Sequence, residues 1–506
     1  MRDPVLLQDG FSYEREAISK WFLTGRKSSP ITNEALSCVE IFPNRALKTA
    51  IAGFMAQQKV ALKEMLLRDL ARIETNRELA HDDPLLRCCF VNLADNVIDT
   101  YHLLLAVLLS WKADAEVCTA ALQALLRIVK QDPEDARRMA FLDFFPTVMD
   151  ATSRFDRLSV VQALGLRFVQ AFCRMPMIRT GGSMQRLRAT DMVLLAMRTY
   201  PTDRPVQLEG ARAIQALGAS FPANVFKSGA ARVLVQAAAH FTDDAEVMLA
   251  LCLAVGSLTT ACCARLCPMG FCRKVADAMV LFPGDQGLQL QGCLALGRLC
   301  HSKLHCDEAA CDAVVACLQE HGAADAKVRL AGCWAVARVA QWPRFAGRVG
   351  ELGGCETVMG LLLLIVKNQL EEDPELAAAV AAALEVLTNE AEEESNNRAR
   401  LATAAFREGV LVLLERHVDH RRTVLSCIKS IHRLSLFSTD FALAMEAEQG
   451  ASRQIIRAMR RHLAEEDIQE YGWLCLDRLL PSLAAASVVP MAVSPAVPPP
   501  VAVARR

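Results

Sequence analysis

The chain has 506 residues, with 56 Lys and Arg against 57 Asp and Glu, so its net charge is −1. That balance supplies no field to draw the chain to nucleic acid or an anionic bilayer, and neither is expected as a partner. The longest apolar runs, Leu103 to Trp111 and Gly360 to Val366, are far shorter than the roughly 20 residues a membrane-spanning helix needs.

With no signal peptide evident, the sequence reads as that of a soluble, intracellular protein, cytoplasmic with the nucleus as a second compartment. Residues that are 53% hydrophobic but only 6% aromatic point to helices rich in Ala, Leu and Val. A chain of this length is long for one core and favours an array of them. The 19 cysteines, many inside helical apolar runs such as Leu251-Cys252-Leu253, suit a reducing compartment in which Cys is a small core residue.

From the N-terminus, Asp9-Gly10 between Val5-Leu6-Leu7 and Phe11 is a hairpin signal. Ser12 is placed to cap a helix over residues 13–23, with Glu14 and Glu16 near its positive end and Gly25 closing it. Ser28 to Glu34 reads as an ordered loop. Pro43-Asn44 starts a second helix whose Leu47, Ile51 and Phe54 recur on one face. One cysteine and no histidine among the first 55 residues exclude a zinc site there.

In order and spacing, Arg2-Asp3-Pro4-Val5, Asp9 to Arg15 (with Gly10, Tyr13 and Glu14), Ile18-x-x-Trp21, Thr24-Gly25-Arg26, Ser29 to Asn33 and Asn44-x-Ala46-Leu47-Lys48 closely resemble the U-box of ubiquitin ligases. The resemblance implies a RING-like fold in which hydrogen bonds and ion pairs replace zinc. It also implies a non-covalent mechanism, in which a ubiquitin-conjugating enzyme is docked so that its thioester is held for a substrate lysine. Catalytic residues are therefore none and no cofactor is implied. Trp21 and Pro30 would face the conjugating enzyme, with Asn33 as a weak bridging donor, while Ile18 and Phe22 face the core. For Trp21 a core role is the alternative reading, and for Asn33 a plain turn. The chain begins at a Met that matches the family's internal Met. Either the true start lies upstream, or the U-box lacks an edge strand and the first of its two partner-binding loops, leaving Val5-Leu6-Leu7 without a neighbour.

The segment 57–80 carries Leu62, Leu66, Leu70 and Ile73 at helical spacing, which reads as a semi-rigid linker helix. Beyond it a period near 41 emerges. Segments over 210–217, 251–258, 292–299 and 332–339 share a Gly/Leu-x-x-Ala pattern, and Gly229 and Gly270 open a helix 22 residues before the next such segment. Fainter copies near residues 118, 165, 380 and 424, the last two preceded by Gly354 and Gly409, give about eight units. The pattern resembles armadillo repeats, with HEAT repeats as runner-up. The expected organisation is thus mainly α: an incomplete, small α+β U-box over 1–56, a linker helix over 57–82, an armadillo or HEAT-type solenoid over 83–480, and an Ala/Pro/Val tail over 481–506 expected to be disordered. Acidic stretches at 371–374 and 390–397 read as solvated loops between repeats.

Competing chemistry is weaker. Cys262, Cys263, Cys267 and Cys272, with Cys300, His301, His305 and Cys306 one repeat later, lack paired Cys-x-x-Cys spacing, and packing is the favoured reading, with no metal. Nucleophilic cysteine catalysis would need a domain that the repeats leave no room for. In armadillo proteins that bind basic peptides, groove positions carry Trp and Asn. Here they read Arg212/Ala216, Leu253/Ser257, Leu294/Arg298 and Trp334/Arg338, so Arg298, Trp334 and Arg338 are candidate groove residues for acidic or phosphorylated partners. The expected function is a U-box ubiquitin transferase that binds substrate or adaptor through its repeats. The alternative is a non-catalytic scaffold with a degenerate U-box.

Overall fold

The computed structural model describes residues 1, 3–72, 100–129, 144–174, 183–220, 222–300, 307–370, 373–389 and 396–480. These form two units, Met1–Ala171 and Phe172–Arg506. The fold is mainly α, with strands only near the N-terminus among the described residues.

In the first unit, strands β1 (Pro4–Leu6), β2 (Ser12–Glu14) and β3 (Phe42–Pro43) form an antiparallel sheet in the order β2-β1-β3. Val5 pairs with Tyr13 on one side and Pro43 on the other. The expected hairpin is present, with Gly10 at φ 78°, where a side chain would be strained. The expectation that Val5-Leu6-Leu7 has no neighbour is wrong: β1 is the central strand, because residues 42–43 return to cover its free edge. The helix expected from residue 13 begins two residues later, as α1 (Arg15–Leu23), and its N-cap, Glu14, makes no side-chain capping bond. Ser12 is committed to the sheet instead, where its hydroxyl accepts from Asn44 Nδ2 at 2.9 Å. Gly25, at φ 83°, closes α1 by donating to Phe22 O.

Asn44 caps α2 (Arg45–Arg72), its Oδ1 accepting from Leu47 N at 3.0 Å. This helix runs without a break across the expected boundary at residue 56. Its distal half packs on the Ala115–Ile128 helix, with Leu66 and Leu70 buried and Lys63 paired to Asp114 at 2.9 Å and Glu116 at 2.7 Å. The segment read as a linker is, as far as Arg72, a packed element of the first unit. Residues 73–82 lie outside the described residues, as do the acidic stretches at 371–372 and 390–395 and the tail 481–506. Phe54, expected on the buried face of α2, is 60% exposed.

In the second unit, helices follow one another in triplets: Pro222–Lys227, Ala230–His240 and Ala245–Gly256; Pro343–Glu351, Gly354–Val366 and Pro374–Leu387; Asn397–Leu401, Ala404–Arg416 and Arg421–Phe437; Thr439–Gln449, Ala451–Arg461 and Glu466–Leu479. The three-helix unit is the armadillo form rather than the two-helix HEAT form. The long third helices, with Arg204–Gly218, Gln286–Leu299 and Ala326–Val339, pack in sequence as a ladder. Each begins at a polar cap: Asp203, Asp244, Asp285, Asp325, Asp373, His420 or Glu465.

A recurrent device sets the register within a unit. Four residues after the cap, Gln207, Gln289 and Gln469 each donate through Nε2 to two carbonyls at the end of the preceding helix, for Gln289 those of Met279 (2.7 Å) and Phe282 (3.1 Å). Three residues further, Gly210, Gly292 and Gly472 face Met197, Met279 and Met459, so closely that a Cβ would collide with the thioether. Gly229 and Gly270 do open helices, both with positive φ. In the later units, however, Gly353 and Gly450 take that place, whereas Gly354 is the first helical residue and Gly409 lies inside a helix.

Candidate functional site

Val5, Leu7, Tyr13 and Ile18 form the small core of the N-terminal module, with Trp21, Phe22, Leu36 and Ile41 packed partly against it. In place of metal, two polar networks hold the chain around it. In the first, Asp3 pairs with Arg15 at 2.5 Å and with Lys48 at 3.0 Å, while its amide donates to Glu14 Oε1 at 2.8 Å. Asp3 therefore ties β1 to the starts of α1 and α2, and the hydrogen bond from Arg15, followed by that from Lys48, holds its carboxyl below the usual carboxylate pKa. Pro4 is buried beside it, and its carbonyl accepts from Asn44 N at 2.9 Å.

The second network builds the candidate docking loop. Asp9 accepts from the Tyr13 hydroxyl at 2.7 Å and from Phe11 N at 2.9 Å. Tyr13 OH in turn lies 3.1 Å from Ser29 Oγ, and that fully buried hydroxyl accepts from Ile31 N and Thr32 N. Burial raises the Asp9 carboxyl, but the hydrogen bonds from Ser29, Tyr13 and Phe11 outweigh it and the net shift is downward. Burial raises the Tyr13 hydroxyl, as does Asp9.

The network holds a tight turn, with Asn33 at φ 65° and its amide donating to Ser29 O at 2.9 Å. Asn and Gly tolerate this conformation best, so Asn33 has a conformational reason for its place in the turn. Pro30 and Ile31 are exposed at the tip of the loop, and no side-chain hydrogen bond of Asn33 is present among the described residues. Trp21 is half-buried. Its indole N–H donates to Ser28 O at 2.9 Å and its ring carries the Arg26 guanidinium 4.4 Å from the centroid. The ring thus supports the loop through its N–H, packs partly against the core and leaves part of itself exposed. The sequence reading missed Ser29, the hub of the loop; the signal available was a small hydroxyl immediately before an exposed Pro.

Elsewhere, the candidate groove residues Arg298 and Arg338 are exposed and Trp334 is half-buried, all on adjacent ladder helices. Four buried cysteines are poor nucleophiles. Burial raises Cys118 and Cys263 to about 11 and Cys252 and Cys333 to about 12. Cys267 and Cys272 bring their sulfurs to 2.8 Å, yet among the described residues no three His, Cys, Asp or Glu side chains are grouped to hold a metal. His301, His305 and Cys306 lie outside the described residues. No single described helix is long and apolar enough to cross a membrane; one bent pair, Pro343–Glu351 with Gly354–Val366, passes by composition.

Comparison with known proteins agrees with the N-terminal architecture. Residues 1–60 match the U-box domain family. The "WD repeat, SAM and U-box domain-containing protein 1" of Gallus gallus is 46% identical over 59 residues, which is 12% of this chain and 12% of that protein. The "U-box domain-containing protein 57" of Arabidopsis thaliana is 55% identical over 51 residues, 10% of this chain and 13% of that protein. The matched segment thus spans about an eighth of the length of these relatives. A solved structure from a study entitled "A conserved phosphorylation switch controls the interaction between cadherin and beta-catenin in vitro and in vivo" aligns with 81% of this chain and 98% of its own, at 13% identity and a TM-score of 0.39, a likeness too slight to bear on the fold. Residues 1–60 are thus similar to the U-box domain, and they precede the helical repeats in the chain.

Proposed function

We propose that the protein is a ubiquitin ligase whose U-box docks a ubiquitin-conjugating enzyme through Pro30, Ile31 and the exposed part of Trp21, and whose helical repeats hold the protein to be modified. The observation that supports this most is the loop itself. Two apolar side chains, Pro30 and Ile31, stand exposed on a turn fixed from below by Ser29 and flanked by Trp21. Exposed apolar groups on a rigid support suit an interface anchor, because little conformational entropy is lost when they are covered. The chain contributes no reacting group. Its part is to hold the charged conjugating enzyme and the substrate lysine together, a gain in effective concentration.

The test is ubiquitin-chain assembly with activating enzyme, ubiquitin and a panel of conjugating enzymes. Pro30→Ala should lower the rate about thirtyfold, as loss of an anchor worth about 2 kcal/mol would, while melting of the repeats is unchanged. Undiminished assembly by this variant with every conjugating enzyme that supports the parent protein would sink the proposal.

A further inference from the structure

Counted from their caps, the seven ladder helices place equivalent residues in rows. Nine residues after each cap the row reads Arg212, Leu253, Leu294, Trp334, Ala382, Lys429, Leu474; thirteen residues after, it reads Ala216, Ser257, Arg298, Arg338, Val386, Arg433, Arg478. Four of the last five helices thus present arginine at one register position, and the first two present none.

These arginines are poorly neutralised. Arg338 and Arg478 are exposed and make no hydrogen bond or ion pair among the described residues. Among the described residues, Arg298 donates only to a backbone carbonyl, that of Leu258, at 3.3 Å. Arg433, whose side chain is only 19% exposed, donates to the Glu385 carbonyl at 2.5 Å and shares the Glu385 carboxylate with Lys429, at 3.8 and 3.4 Å, while the other carboxylate oxygen accepts from Ser426 Oγ at 2.7 Å. Asp477 stands one position before Arg478 without pairing to it. The row therefore carries a net positive charge in a protein whose total charge is −1, and the apolar Leu294, Trp334 and Leu474 run beside it.

We propose that this row receives an extended acidic segment of a protein partner. The inference rests on the reading that the repeats bind the ligase's substrate or adaptor. Packed helices lie about 10 Å apart, and an extended segment in the polyproline-II conformation advances about 3.1 Å per residue with three residues per turn, so its side chains three residues apart share one face and meet neighbouring arginines. Val386 doubles the step between Arg338 and Arg433. Anionic groups at about positions 1, 4, 10 and 13 of the segment would then meet Arg298, Arg338, Arg433 and Arg478. That spacing is the same read in either direction, so it serves a segment of either polarity.

The test uses the full chain and fluorescent peptides, read by anisotropy with no component of the ubiquitin reaction present. An inactive U-box would therefore leave the result untouched, and failure of this binding would leave ligase activity untouched. A Ser/Ala/Gly peptide with Glu at positions 1, 4, 10 and 13 should bind at least about tenfold more tightly than one with the same four Glu in a single run, and binding should weaken as salt is raised. The double variant Arg338→Glu, Arg478→Glu, at two exposed and unpaired sites, should lose at least about tenfold, whereas Arg460→Glu off the row should lose little. Should the charge reversals lower the melting temperature, the Gln variants at the same positions are to be used. Replacing Glu by phosphoserine identifies the anion: tighter binding points to phosphate, equal binding to carboxylate, and both support the row. Equal affinity for the clustered peptide, indifference to reversal at Arg338 and Arg478, or displacement of the peptide by an equimolar single-stranded oligonucleotide would overturn the proposal.

Discussion

The Tyr13 hydroxyl lies 3.1 Å from Ser29 Oγ in a buried contact that joins strand β2 to the loop presenting Pro30. The same hydroxyl donates to Asp9 beside the hairpin turn, so one oxygen couples the strand, the turn and the docking loop. Removing it leaves Asp9 and Ser29 each short of a partner.

Tyr13→Phe should therefore destabilise the U-box by about 1 to 3 kcal/mol, the cost of leaving a buried polar group unsatisfied. The loop should loosen before the sheet does. Hydrogen exchange of the Ile31 and Thr32 amides is the measurement, and protection equal to that of the parent protein would show that Ser29 holds the loop without Tyr13.

The U-box should be lost at acid pH in a way traceable to Asp3 and Asp9. Both have folded-state pKa values below the unfolded carboxylate value of about 3.9. Their contribution is thus present above that value and disappears as pH falls through the lower folded value. Exchange protection of Val5 should fall as pH drops below about 4, and Asp3→Asn, which cannot pair with Arg15 and Lys48 as an anion, should already be weakened at neutral pH and show a flatter acid limb. An unchanged acid limb in Asp3→Asn would assign the transition to other carboxylates.

Two glycines in ladder-forming units should respond in opposite directions to alanine. At Gly292 a Cβ would sit 2.5 Å from Met279 Sδ and 2.8 Å from Cγ, so the Met must move and Gly292→Ala should cost about 1 to 3 kcal/mol. At Gly360, within the Gly354–Val366 helix, a Cβ meets nothing within 4 Å, and Gly360→Ala should stabilise by about 0.5 to 1 kcal/mol through backbone entropy. Thermal melting of the two variants decides, and equal shifts would mean that Met279 repacks freely.

Chelation should leave both melting and ubiquitin-chain assembly unchanged. Residues 1–60 offer Cys38 alone as a soft ligand, and the two polar networks hold the module together. Finding stoichiometric zinc in the purified protein would reopen the cysteines around Cys262 and Cys267.

Local chemistry wrote much of this architecture into the sequence. Asp9-Gly10 specified the hairpin because glycine readily takes the positive φ that ends the turn closed from Gly10 N to Leu7 O, while the Asp9 carboxylate accepts from Phe11 N; Asn44 specified the start of α2, and the spacing of Gly and Ala specified helical units of about 41 residues. These features are decided within a few residues of the chain, so composition and order suffice to read them. The tertiary structure decided what depends on distant partners. Ser12 was equally able to cap a helix or to join a sheet, and Asn44, distant in sequence, made it a sheet residue. Val5 gained a second neighbour only because residues 42–43 return to it. The distal half of α2 became a packed element because Leu66 and Leu70 found another helix to bury against, and Phe54 stayed in water because none reached it. The arginine row, too, emerges only when caps are aligned across helices of unequal spacing, since neighbours in the ladder lie 40 to 48 residues apart in the chain. Burial and pairing are properties of two surfaces, and a sequence read along its length shows one of them at a time.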